Sequence, residues 1–149
     1  MDLSYGEELE GYRAEVQRFL EQNWPLKNDE AKLGYRQQAA RFRERAIEVG
    51  YLCRNIPRRY GGSEQESDVL KAQIIREEFQ RARAPLEPRG IGTMMLVPTL
   101  LERGEEWQKE KFVPGTIMGT LHWCQGYSEP GSGSDLASLK TRAELVGKE

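Results

Sequence analysis

The residues best suited to chemistry crowd into one stretch, Trp123-Cys-Gln-Gly-Tyr-Ser-Glu-Pro-Gly-Ser-Gly-Ser-Asp135, with His122 just before it. Two kinds of chemistry can be written with them. Ser128 or Ser134 with His122 and Asp135 has the composition of a hydrolytic triad. Yet Gly126-Tyr-Ser-Glu-Pro130 lacks the second glycine that a nucleophile elbow requires. His122 falls in a strand-like run whose alternation sets the face it takes, and it reads as a structural residue. The second chemistry is binding. Gly131 and Gly133 allow positive φ and close approach of the backbone to a ligand, and successive N–H groups in such a turn form an anion-binding concavity. Ser128, Ser132 and Ser134 add hydroxyl donors. An oxygen-rich cofactor or substrate fits this loop.

Thr120, Leu121, Trp123 and Tyr127 favour strand, whereas Pro130, Gly131 and Gly133 end it. A second alternating segment, Leu139-Lys-Thr-Arg-Ala-Glu-Leu-Val146, follows the loop, so strand, loop, strand is expected from Leu121 onward.

The chain before this point is helical by periodicity. Ser4 and Glu7 form a capping box, and Leu9, Tyr12, Val16 and Phe19 make one helical face ending near Asn23 and Pro25. A second helix is expected from Asn28 or Asp29, burying Tyr35, Ala39, Phe42, Ala46 and Val49, with Gly50 as a left-handed cap. The loop Tyr51–Gly62 carries enough large apolar residues to pack. A third helix over about 67–83 buries Val69, Ala72, Ile75, Phe79 and Ala82. Glu77 and Glu78 on it point about 100° apart and do not form an acid/base pair facing one site. The run 90–104 is apolar nearly all round, as in a covered central helix, with Pro98 kinking it or opening a new turn. A short helix from Glu105 to about Val113 is closed by Pro114 and Gly115. Solvated faces account for the outward residues, including Arg41, Arg43, Glu44 and Arg45.

Gly126-Tyr-Ser-Glu-Pro-Gly-Ser-Gly-Ser-Asp-Leu-Ala-Ser138 resembles the first signature of the acyl-CoA dehydrogenases, with Tyr127 where that family usually has an aliphatic residue. The resemblance extends to Pro57-Arg-Arg-Tyr-Gly-Gly62 with Arg76-Glu-Glu-Phe79, and to Trp107, Lys111 and Phe112 after Gly104. It implies a mainly α chain: an all-helical N-terminal domain over residues 1–118, followed by the first strands of a middle β domain over 119–149. It implies FAD as cofactor and oxidation of an acyl-CoA to the 2,3-enoyl-CoA. The α proton leaves to a base, the β hydrogen leaves as hydride to the flavin, and an electron-transfer flavoprotein takes the electrons. Carried over, Gln125, Tyr127 and Ser128 line the flavin's pyrimidine side, Gly133 and Ser134 reach its pyrophosphate, and Ser134 also contacts the acyl-CoA. Glu129 and Asp135 brace the loop through backbone N–H groups, since a carboxylate beside a pyrophosphate repels it. The family's base is a C-terminal glutamate, so no catalytic base is expected in this chain. A part of a longer dehydrogenase is expected, or else a short subunit completed by another chain, and a homo- or hetero-tetramer when complete. An acyl-CoA oxidase of the same fold and a non-catalytic helical interaction module are the other readings.

Composition agrees with a globular chain. At 149 residues, 38% hydrophobic and 31% charged, it can bury about 70% of its unfolded surface. The net charge of -2 supplies no footprint for nucleic acid or an anionic membrane. Cys53 and Cys124 stand in no metal or disulfide spacing and are expected to be buried free thiols. With neither a leader pattern nor a membrane-length apolar run, a cytoplasmic location is expected.

Overall fold

The computed structural model describes residues 6–147. Ser4 of the expected capping box lies outside them, and α1, Glu7–Asn23, is entered from Gly6 at φ 83°. A 3-10 turn, Asn28–Lys32, leads to α2, Tyr35–Glu48. These are two elements where periodicity alone gives one. Leu33 and Gly34 are extended between them, and Arg45 Nη2 spans the break to both Glu30 carboxylate oxygens at 2.8 and 2.7 Å. Ala39, Phe42 and Ala46 are buried as expected, whereas Tyr35 and Val49, at the two ends of the stripe, are exposed. Gly50 takes φ 86° after the helix, a conformation that favours glycine.

A packed loop containing the 3-10 turn Arg58–Tyr60 precedes α3, Val69–Arg81, which is capped by Asp68 accepting from Lys71 N–H at 2.9 Å. The buried face of α3 is Ile74, Ile75, Glu78 and Phe79, with Val69, Ala72 and Ala82 exposed. The expected stripe is therefore rotated, because α3 packs on α1 through an ion pair as well as through apolar side chains. A π turn, Gly92–Leu96, runs into α4, Val97–Arg103, where Pro98 occupies the first turn and leaves no amide unsatisfied. The segment is not covered all round, since Met94 is 71% and Met95 47% exposed.

α5, Glu106–Met118, opens with a reciprocal capping box between Glu105 and Gln108 and passes through Pro114 instead of ending there. Pro114 has no N–H to offer the Glu110 carbonyl, and Glu110 is an exposed residue. Gly119 ends the helix at φ 76°. The core joins Val16 and Leu20 of α1 to Phe42, Phe79, Val97, Val113 and Ile117, with Leu52, Ile56 and Tyr60 from the loop. Phe42 and Phe79 meet at 5.6 Å between ring centroids and Phe19 and Tyr51 at 5.1 Å, within the range aromatic pairs favour.

No strand forms among the described residues. The expected strands at Leu121–Tyr127 and Leu139–Val146 have no ladder partner, and a strand is stable only when its N–H and C=O groups are paired. A single antiparallel bridge, Glu129 with Ser132, closes the turn over Pro130 and Gly131.

Candidate functional site

Trp123 anchors the glycine loop to the helical body. Its indole Nε1 donates to Thr116 Oγ1 at 2.9 Å, and its ring meets Phe112 edge-on at 5.4 Å. Gly92 makes this seat available, because a Cβ there would stand 2.6 Å from Trp123 Cδ1 and 2.8 Å from Thr116 Cγ2. Anchored in this way, the chain after Trp123 lies along the π turn and α4. Ile91, Met95, Leu96 and Thr99 face Cys124, Gln125, Gly126 and Tyr127 across a groove of about 260 Å³.

Beyond the groove the loop is organised by Glu129. Its carboxylate accepts from Lys140 N–H at 3.0 Å, from Thr141 N–H at 2.6 Å and from the Thr141 hydroxyl. The Thr141 hydroxyl, followed by the two amides, holds Glu129 below the usual carboxylate range. Asp135 also braces the loop, but through its backbone carbonyl, which accepts from Ser132 Oγ at 2.6 Å and Ser138 Oγ at 2.9 Å. The expected bracing by its carboxylate is replaced by this backbone arrangement.

With Ser132 turned inward, Ser128, Gly133 and Ser134 stay exposed on the loop. Nothing lies within 4 Å of a Cβ built on Gly126, Gly131 or Gly133, so the protein itself leaves this space open. Gln125 and Tyr127 line the groove; Ser128, Gly133 and Ser134 sit next to it in the chain without lining it. Exposed hydroxyls, open glycines and a carboxylate withdrawn into bracing suit the phosphates and polar edge of a dinucleotide.

The groove's other wall was not legible as a site. The apolar run 90–104 looks like core in the sequence, and the exposure of Ile91, Met94 and Met95 distinguishes it. His122 is exposed and forms no hydrogen bond with Ser128, Ser134 or Asp135 among the described residues, so the triad is not assembled. Cys53 is buried as expected, but Cys124 is exposed. Among the described residues no helix is long and apolar enough to cross a membrane, and no group of His, Cys, Asp and Glu is arranged to hold a metal.

The family model for the acyl-CoA dehydrogenase N-terminal domain matches residues 6–120. The chain is 38% identical to the acyl-CoA dehydrogenase IpdE1 of Mycolicibacterium smegmatis, over 94% of this chain and 37% of that protein. It is 36% identical to the protein of the same name from Mycobacterium tuberculosis, over 96% of this chain and 39% of that one. It thus spans a little over a third of the curated relatives' length. Similar solved structures include two from related enzymes. The Tcur3481-Tcur3483 steroid ACAD has a TM-score of 0.56 and 31% identity, covering 99% of this chain and 38% of that chain. The ChsE4-ChsE5 complex from Mycobacterium tuberculosis has a TM-score of 0.54 and 30% identity, covering 95% and 35%. The helices, their packing and the match over residues 6–120 lead to one conclusion: this chain belongs to the acyl-CoA dehydrogenase family and carries its N-terminal helical domain.

Proposed function

We propose that the chain is the N-terminal part of an FAD-dependent acyl-CoA dehydrogenase of lipid metabolism that oxidises an acyl-CoA to the 2,3-enoyl-CoA. The observation that carries this reading is the Glu129-braced loop, which exposes Ser128, Gly133 and Ser134 beside the apolar groove lined by Met95 and Tyr127. In this reading residues 1–118 are the helical domain and 119–149 begin the middle β domain, whose strands pair when the rest of that sheet is present. FAD, when bound, supplies the hydride acceptor. Gln125, Tyr127 and Ser128 hold its pyrimidine side, Gly133 and Ser134 its pyrophosphate, and Ser134 also the acyl-CoA. The Tyr127 hydroxyl puts a donor where the family usually has an aliphatic side chain. The base is a C-terminal glutamate outside this chain, and an electron-transfer flavoprotein takes the electrons.

The relatives narrow the proposal further. One similar structure is described as a steroid ACAD, and another is a complex of two different chains. A bulky polycyclic acyl-CoA and a hetero-oligomeric enzyme in the cytoplasm are accordingly proposed. The test is Ser134→Ala in the chain combined with the C-terminal part that its relatives carry. The expected result is reduced flavin content together with a raised KM for acyl-CoA. Unchanged flavin content and unchanged KM would remove Ser134 from the site. Rapid oxygen-dependent peroxide release by the same protein would instead identify an oxidase.

A further inference from the structure

A larger cleft, of about 700 Å³, opens between the first turns of α2, the segment Pro88–Thr93 and the segment Gly119–Trp123. Its size is that of a small-molecule site. Every charged side chain lining it is basic, namely Arg36, Arg43 and Arg89, with His122 beside them and no carboxylate. That one-sided lining occurs in a chain with 24 acidic and 22 basic residues. Ser128, Gly133 and Ser134 line no part of it.

The arginines are arranged by helix geometry. Arg36 and Arg43 are seven residues apart on α2, which puts them on one face about 10 Å apart along the axis. Ala39 and Ala40 lie between them, and their methyl side chains leave the space between the guanidiniums open. The N-terminus of α2, which has no capping side chain, lies at the same cleft, with Tyr35 and Arg36 among its lining residues.

Arg43 supplies the independent observation. It is half-buried, its Nε donates to the Leu86 carbonyl at 2.8 Å, and burial pulls its pKa down. No carboxylate among the described residues forms an ion pair with it. Glu87, whose charge reaches it, is committed to the Cys53 N–H at 2.6 Å. Arg36 and Arg89 form no ion pair among the described residues either. No carboxylate among the described residues contacts the Arg43 guanidinium directly, and a bound anion in the cleft supplies that direct partner.

We infer that this cleft binds a small organic phosphate, held by Arg36 and Arg43 across the Ala39–Ala40 trough and by Arg89, with its apolar body against Trp123. Guanidinium forks match phosphate oxygens in pairs, and phosphate concentrates more charge than a single carboxylate. The test is calorimetric titration of the full chain with inorganic pyrophosphate, and separately with succinate, at low and at physiological ionic strength. Saturable pyrophosphate binding is expected, weakened about 10-fold or more in Arg36→Gln and in Arg43→Gln, as loss of a charge-assisted contact requires. Arg36 is exposed, so its variant stays folded even if the Arg43 variant does not. Arg103→Gln changes the net charge equally at an exposed site paired with Glu102, and is expected to bind as the parent does. Three results would overturn the inference: no saturable pyrophosphate binding, equal loss in Arg103→Gln, or binding of succinate alone.

Discussion

Arg13 on α1 reaches Glu78 on α3, its Nη1 donating to Glu78 Oε1 at 2.5 Å where the glutamate is 2% exposed. Nη2 of the same guanidinium donates to Glu77 Oε2 at 2.7 Å. Two adjacent acids that look like an acid/base pair are thus held by one arginine. Gln17 and Arg81 complete the shell around Glu78, at 3.1 and 3.2 Å. Glu78 is a buried charge with every partner supplied by the protein, and its role is to lock α1 to α3.

Removing one member should cost more than the pair itself contributes, because it leaves a buried charge short of partners. Arg13→Met is expected to lower unfolding free energy by about 3 kcal/mol, the low end of the range for a broken buried pair, since Gln17 and Arg81 remain. Adding Glu78→Leu should recover part of the loss. Urea denaturation of both variants checks this, and a loss below about 1 kcal/mol would mark the pair as an ordinary surface bridge.

Gly92→Ala tests the seat of Trp123. A methyl group there overlaps Trp123 and Thr116, so the indole must leave Thr116 Oγ1 or the π turn must shift. A destabilisation of about 1–3 kcal/mol is expected, with altered tryptophan emission. Gly126→Ala meets nothing within 4 Å and should leave stability and emission unchanged.

The two cysteines should behave oppositely. Burial, with the charge of Glu87 adding to it, pushes the Cys53 thiol up to about 12, and only thiolate reacts. Exposed Cys124 should therefore be alkylated within minutes at pH 8, and Cys53 only on unfolding. Stability has a matching pH dependence. Below the ordinary thiol value of 9.0 both states keep the proton on Cys53; between 9.0 and about 12 only the unfolded chain loses it, and stability falls as pH rises. Mass spectrometry after timed alkylation, with thermal melts at pH 8 and 10, reads both effects.

Glu129 has the opposite sign. Its depressed pKa means that the bracing of Lys140 and Thr141 is fully present above the ordinary carboxylate range and lost as pH falls through the depressed value. Protection of the Lys140 and Thr141 amides, taken relative to their intrinsic exchange rate at each pH, should fall on acidification, and Glu129→Gln should show similarly low protection at neutral pH. Protection unchanged in Glu129→Gln would mean that other groups hold the loop.

The helices were legible because 3.6-residue periodicity survives wherever a face meets the core, as at Ala39, Phe42 and Ala46. It fails where packing is decided by something periodicity does not see. The Arg13–Glu78 pair turns a charged position of α3 inward, and α5 runs on through Pro114 to Met118. The glycine loop was visible from its composition, and the Glu129 brace from the repulsion between a carboxylate and a pyrophosphate. The groove was not, because a ligand-facing helix surface and a core-facing one are built from the same apolar residues.

The most direct test is the absorbance spectrum of this chain purified together with the C-terminal part its relatives carry, without added cofactor. A yellow protein that releases FAD on denaturation and is bleached anaerobically by an acyl-CoA is the predicted result. A colourless protein that neither takes up supplied FAD nor changes with acyl-CoA would contradict it, and would leave a helical binding module in its place.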